Sequence, residues 1–144
     1  MAMRGLLVAL LLVTVSPQSQ PRLPTHVESL QYPPLARQAR IAGDVTLTGQ
    51  VDLDGRPGFL ALAAGPLLVN PLLEQAAINN IRTWRFEPGP RSELKVTYHF
   101  ALEGDENHDP QSVTRFDFPD SVTVVAHPPI TYIDTSALGK SKKK

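Results

Sequence analysis

The order of alternating and helical segments between residues 44 and 102 constrains the fold of this chain most strongly. Residues 44–53 and 93–102 each alternate apolar and polar side chains, which is typical of a strand with one buried face. Residues 59–64 predict a returning strand, and residues 70–84 have helical spacing. The pattern predicts three antiparallel strands whose common apolar face needs a cover.

Other sequence signals predict a turn between the first two strands and a helix that would help to cover this apolar face. Asp54-Gly55 predicts a type I′ hairpin between the first two strands. Pro33-Pro34 favours the start of a short helix that ends near Gly43, because proline fits the first helical turn. The first helix therefore precedes the sheet in the chain.

A second helix is predicted after Asn70, which suits the N-cap, with Pro71 at the first helical position. We expect it to continue until Pro88 stops it. Its apolar face is spaced four, four and three residues apart, at Leu73, Ala77, Ile81 and Trp84. The sequence thus predicts an α+β two-layer fold, in which two helices cover a three-stranded antiparallel sheet.

The motifs of this region resemble the C-terminal domain of the TonB family of energy transducers. The resemblance rests on YPPLAR at residues 32–37, a Gly-x-Val, VDLDG, and LLEQAAINNIRTWRFEP, and it covers about half the chain. The family's motif and core positions fall on Tyr32, Pro33, Ala36, Gly43, Gly55, Trp84, Phe86 and Pro88. For Tyr32, Trp84 and Phe86 a binding patch is the alternative to core packing, and core packing is favoured because Trp84 continues the helix's apolar face.

The resemblance also implies a binding edge. In the TonB family the last strand of the three takes up a receptor's short N-terminal peptide, and backbone groups of an edge strand can pair in this way. The corresponding residues here are Lys95, Val96, Thr97, Tyr98 and His99. The alternative is that residues 113–126, which predict two more short strands, already cover this edge.

The N-terminal segment predicts export. Arg4 precedes an apolar run at residues 6–15, and polar and small residues follow, which is typical of a signal peptide over residues 1–19. Ten helical residues span about 15 Å, roughly half of a bilayer's hydrocarbon core. We therefore expect a periplasmic protein, and an inner-membrane anchor at residues 5–15 is the alternative if the signal is not cleaved.

The remaining organisation follows from composition. We expect an irregular lead at residues 20–31, a TonB C-terminal-like domain at 32–103, a β-strand extension at 104–135 and a basic disordered tail at 136–144. The extension has no counterpart in the three-part transducer plan of membrane helix, spacer and docking domain.

Composition argues against catalysis and against several ligands. The chain has no cysteine, and its 14 basic and 14 acidic residues balance, so no nucleic-acid footprint is present. Four scattered histidines, at 26, 99, 108 and 127, show no metal-ligand spacing, and the acidic residues near 105 lack a calcium-loop pattern. We expect no enzyme activity, no metal, no cofactor and no small-molecule substrate.

The sequence therefore predicts a protein-interaction module. By resemblance, its partner is an envelope protein such as a TonB-dependent outer-membrane receptor, bound by strand addition and linked to energy-dependent transport. Two alternatives remain open. One is a self-associating structural envelope protein, such as a homodimer, and the other is a membrane-anchored energy transducer.

Overall fold

The computed structural model describes residues 21–63 and 68–132. The predicted signal peptide and the basic tail lie outside these residues. The elements are β1 (Pro24–His26), α1 (Pro34–Gln38), β2 (Gly43–Val51), β3 (Pro57–Leu62), α2 (Pro71–Ile81), β4 (Arg85–Phe86), β5 (Ser92–Leu102), β6 (Ser112–Asp117) and β7 (Ser121–Ala126). Strand β1 lies within the lead that was expected to be irregular.

The sheet is larger than predicted. It has five strands in the order β3-β2-β5-β7-β6, where the sequence predicted three strands and a β extension that was left either apart from the sheet or covering its edge. Strand β7 pairs with β5 in parallel, and all other pairs in this sheet are antiparallel. The prediction failed because alternation indicates which face of a strand is buried, and it does not indicate which strand lies beside it. A separate small sheet joins β1 and β4.

The β2–β3 hairpin forms at the predicted place with different turn geometry. Gly55 has φ +82°, whereas Asp54 is not among the residues with positive φ, so the type I′ prediction is wrong. The Gly55 amide donates to the Asp52 carbonyl at 3.1 Å, and the Asp52 amide donates to the Arg56 carbonyl at 2.9 Å. The Asp52 carboxylate also accepts the Asp54 and Arg56 amides, which stabilises a three-residue loop in place of a two-residue one.

Helix α2 begins as predicted and ends earlier. The Asn70 side chain accepts the Leu72 amide at 2.9 Å, and Pro71 occupies the first turn. The helix stops at Ile81, well before Pro88, because the chain turns there to enter β4. Trp84 lies just beyond the last helical turn and still faces the core, where it is 1% exposed.

One apolar core lies between the sheet and the two helices. It takes side chains from α1, α2, β2 and β5, and also from β7. The buried members of β7 are Val122, Val124 and Ala126. The C-terminal extension is therefore part of the same core as the predicted domain.

The described residues contain no helix that is both long enough and apolar enough to span a membrane.

Candidate functional site

Strand β5 is paired along only part of the edge that faces away from β2. Its register with β7 runs from Thr97 to Leu102, and the Thr97 amide donates to the Asp120 carbonyl at 2.8 Å. Successive residues of a strand direct their backbone groups to opposite sides. The N–H and C=O of Glu93 and Lys95 therefore point the same way as those of Thr97, at a level that β7 does not reach.

We name this unpaired stretch, Ser92–Val96, the open half-edge. No described strand pairs with β5 there on the side away from β2. On its other side β5 is held firmly, because the register with β2 continues from Gly43–Phe100 to Val51–Ser92. The half-edge is thus held in extended form by β2, and the outward backbone donors and acceptors of Glu93 and Lys95 are not used by any described strand.

The five predicted partner-binding residues divide between open and occupied backbone. Lys95 and Val96 belong to the open half-edge, whereas Thr97, Tyr98 and His99 lie opposite Ser121, Val122 and Thr123 of β7. The side chains of Val96 and Tyr98 are fully buried. Those of Thr97 and His99 lie on the outer face, where Thr97 bonds Thr46 at 2.9 Å and His99 Nδ1 lies 2.8 Å from Asp44 Oδ1.

A shallow depression of about 660 Å³ lies on the outer face of the sheet beside the half-edge. Two cationic side chains, Arg91 and Lys95, and the anionic Glu93 line it. Phe59, which is 87% exposed and has φ +51°, forms its apolar wall. The remaining lining residues are Thr48, Gly49, Gln50 and Leu94. The depression extends over β2 and β3, and only Glu93 and Lys95 place charges of both signs beside a strand added to β5.

Strand β7 is fixed in its place by Arg37, from the first helix. The Arg37 side chain is 8% exposed, and its guanidinium donates to the His127 carbonyl at 2.7 Å and to the Asn107 carbonyl at 2.8 Å. These acceptors lie on either side of the β6–β7 hairpin. Arg37 belongs to the YPPLAR segment, but sequence reasoning assigned it no role because both acceptors are backbone atoms remote in the chain.

Nearby, Arg40 joins α1 to the same extension. Its guanidinium bonds the Glu106 carboxylate, and it donates to the Pro129 carbonyl at 3.0 Å. The hydrogen bond from Arg40 lowers the pKa of Glu106, with a further contribution from the Thr131 amide. The extension is therefore held at several points.

Asn80 is a second residue that sequence reasoning missed. Its side chain is buried and donates to the Glu28 carbonyl at 2.8 Å. Its Oδ1 accepts the Trp84 indole N–H at 3.1 Å and the Tyr98 hydroxyl at 2.9 Å. Position 80 lies three residues after Ala77 and four before Trp84, so its spacing on the buried face was the available signal.

The two buried tyrosines are held in their neutral form. Burial raises the pKa of Tyr32 to about 12, and its hydroxyl donates to the Ile41 carbonyl at 2.7 Å. Burial also raises the pKa of Tyr98 far above its ordinary value. Both hydroxyls therefore stay protonated near neutral pH, where they serve as hydrogen-bond donors to Ile41 and Asn80.

The other motif positions serve the fold. Tyr32, Trp84 and Phe86 are buried in the core, and so is Ala36. The Pro33 carbonyl accepts the Arg37 amide of α1 at 2.9 Å, and Gly43 starts β2 opposite Phe100. The close approach of Gly55 to the backbone of Phe86 joins the hairpin to β4. Pro88 is exposed after β4.

Comparison with known families decides the relationship. The family model described as Gram-negative bacterial TonB protein C-terminal matches residues 28–103, which is more than half of the chain. The chain belongs to the TonB C-terminal domain family. A search of curated proteins finds no match.

A solved structure shares the fold of this TonB-family domain. It is the solution NMR structure of the Pseudomonas aeruginosa TonB C-terminal domain, with a TM-score of 0.51 and 21% sequence identity. The likeness covers 62% of this chain and 95% of the solved one. Since the identity is low, this likeness supports the fold alone.

Membership of the TonB C-terminal family implies a TonB-like energy-transduction module. Such a domain couples transport without enzymatic activity, in agreement with the prediction from composition. The family also implies interaction with envelope proteins and a location in the cell envelope.

Proposed function

We propose that this TonB-family domain binds an extended segment of an envelope protein by adding it as a strand to β5. The open half-edge is the observation that carries this proposal, because Glu93 and Lys95 present backbone groups that no described strand uses. An N-terminal peptide of an outer-membrane receptor has the chemistry required, since it is extended and free to pair. Docking of this kind would link the domain to energy-dependent transport.

Strand β7 determines how far along β5 a partner peptide can pair. A short peptide of a few residues fits the half-edge and leaves β7 in place. Pairing along the whole predicted stretch from Lys95 to His99 would require β7 to leave, because Ser121–Thr123 occupies that backbone. The buried valines of β7 and the hydrogen bonds of Arg37 oppose such a departure. We therefore propose docking at the half-edge with β7 retained.

A titration followed by NMR would test this proposal. Receptor N-terminal peptides are added to the isotopically labelled chain, and amide shifts are mapped. We expect the largest shifts at Glu93 and Lys95, with the β7 amides of Val122 and Val124 nearly unchanged. Large changes throughout β7 would replace half-edge docking by displacement. The absence of shifts in β5 across the panel would contradict strand addition itself.

Alternate N-methylation of the peptide separates backbone pairing from side-chain binding. Only every second amide of an added strand faces β5. One set of methylated peptides should therefore lose binding, and the set shifted by one residue should retain it. A Lys95→Ala variant of the protein serves as the side-chain control and should still bind, because pairing uses its backbone. Equal loss with both methylated sets would count against a strand.

We further propose export to the periplasm through residues 1–19. The charged start and short apolar run of this segment support the proposal. The N-terminal mass of the protein from separated membrane and periplasmic fractions tests it. A periplasmic species that begins near Gln20 is expected. An intact, membrane-bound form that begins at Met1 would instead favour the anchored energy transducer.

A further inference from the structure

The five-stranded sheet has two outer edges, and they differ in their capacity to pair. Strand β3 begins at Pro57, which lacks an N–H, and its register with β2 shifts near Phe59, which has φ +51°. Proline and irregular register are features that blunt an edge. Strand β6 contains no proline, and its register with β7 is regular from Ser112 to Asp117. The outer edge of β6 is therefore the better template.

The direction of the free backbone groups of β6 follows from the hydrogen bonds of β7. The carbonyls of Asp120 and Ala126 accept amides of β5, so the even-numbered residues of β7 face β5. The odd-numbered residues of β7 then face β6, where Thr123 lies opposite Arg115. Consequently Thr114 and Phe116 direct their N–H and C=O groups outward. No described strand pairs with these backbone groups. The neighbouring segment at Leu30 bonds only the Thr114 hydroxyl, at 3.0 Å through its amide and 2.9 Å through its carbonyl.

Two of the three exposed side chains on β6 carry opposite charges, and the third is Val113. Arg115 and Asp117 are two residues apart on the outer face, and both are exposed. Neither forms a salt bridge with another described residue. Because their spacing is two, they lie symmetrically about Phe116, the residue between them.

We propose that the β6 edge pairs antiparallel with the β6 edge of a second copy of this chain, about a twofold axis at Phe116. In this register Phe116 lies opposite Phe116 and exchanges two backbone hydrogen bonds. Arg115 of each copy then lies opposite Asp117 of the other, in the closely spaced type of cross-strand pair. The two five-stranded sheets become one continuous sheet of about ten strands.

Charge pairing selects this register. A register centred on Thr114 would place Arg115 opposite Val113 and leave both charges without a partner. In the Phe116 register each copy's Arg115 and Asp117 both gain a partner of opposite charge.

Charge reversal provides the test, with association measured by sedimentation at increasing protein concentration. We expect the wild-type chain to dimerise reversibly. Arg115→Asp places two carboxylates opposite each other, and Asp117→Arg does the same with two guanidinium groups. Each variant should associate about tenfold more weakly or worse, since two attractive pairs become repulsive.

Two combinations of these substitutions, one in a mixture and one in a single chain, make the test specific to this register. An equimolar mixture of the Arg115→Asp and Asp117→Arg variants should form a heterodimer, because every facing pair is again of opposite sign. The doubly swapped chain should recover the homodimer. Arg56→Asp, at an exposed cation before β3 and therefore at the opposite edge of the sheet, is the matched control and should associate like wild type. Thermal melts of each variant show that it remains folded.

Two results of the sedimentation experiment would overturn the proposed dimer. A wild-type chain that stays monomeric at the highest attainable concentration would overturn the proposal. Dimers that withstand both single reversals would also overturn it, because another surface would then hold the copies together. Neither result affects strand addition at β5, which lies on a different part of the sheet and is read out by peptide titration.

Discussion

At the scale of single residues, Asn80 joins three parts of the core through one side chain. Its amide donates to the Glu28 carbonyl, and its carbonyl oxygen accepts from Trp84 and Tyr98. Asn80→Ala would leave two buried donors and one backbone acceptor without this partner. We expect a loss of about 3 kcal/mol or more in the free energy of unfolding, measured by denaturant titration.

Asn79 is the natural control for that prediction. It precedes Asn80 in the same helix, is exposed, and accepts only the Gln75 side chain at 2.8 Å. Asn79→Ala should change the free energy of unfolding by less than about 0.5 kcal/mol. Similar losses in the two variants would contradict a specific role for the buried hydrogen bonds, since alanine favours the helix more than asparagine does at both positions.

Gly55 is required by both its conformation and its surroundings. It has φ +82°, and a Cβ there would lie 2.0 Å from the Phe86 carbonyl oxygen. We expect Gly55→Ala to lower the free energy of unfolding by about 2 to 3 kcal/mol. Gly58→Ala is the control, because a Cβ at Gly58 meets no atom within 4 Å. If Gly55→Ala unfolded at the same denaturant concentration as Gly58→Ala, the close approach would have no energetic role.

The sequence indicated the apolar core residues better than the polar ones. Trp84 and Tyr98 were placed by periodicity, because burial of an apolar side chain follows directly from the face it occupies. Asn80 and Arg37 could not be placed in this way. A buried polar side chain depends on partners distant in the chain, such as the carbonyls of Glu28 and His127, and no local pattern specifies them.

At the scale of elements, helix α1 and strand β7 depend on each other through Arg37. Arg37→Met keeps much of the apolar stem and removes the hydrogen bonds to Asn107 and His127. We expect a loss of about 2 to 4 kcal/mol, because these bonds come from a charged and buried group. Hydrogen exchange should quicken first in β7. Arg82→Met, at an exposed position after α2, should leave the free energy of unfolding and the hydrogen-exchange rates of β7 unchanged.

The positions of the helices and strands along the chain were predicted well, whereas the pairing of the strands within the sheet was not. The helices and β2, β3 and β5 lie close to the predicted segments, and so do the two strands of the extension. That residues 113–126 cover the β5 edge was one of two alternatives, and the structure bears it out for Thr97 to Leu102 only. The sequence could not decide between them, because parallel pairing over a long connection leaves no turn signal. That one pairing decides how much of the candidate docking edge is open.

At the scale of the whole molecule, the two buried tyrosines make stability depend on alkaline pH. In the unfolded chain a tyrosine loses its proton near pH 10, whereas burial raises the pKa of Tyr32 to about 12 in the fold and raises that of Tyr98 further. Between these values the unfolded state binds fewer protons than the folded state. The free energy of unfolding is therefore unaffected by these groups below about pH 10 and falls above it.

Each buried tyrosine should contribute at most about 1.4 kcal/mol per pH unit to that fall. Denaturant titrations at several pH values above and below pH 10 measure the slope. Tyr98→Phe should reduce it, and Tyr32→Phe should reduce it as well. Tyr132 is 78% exposed, so Tyr132→Phe should leave the slope as in wild type. An equal slope in the Tyr98 and Tyr132 variants would mean that the buried Tyr98 hydroxyl does not govern alkaline unfolding.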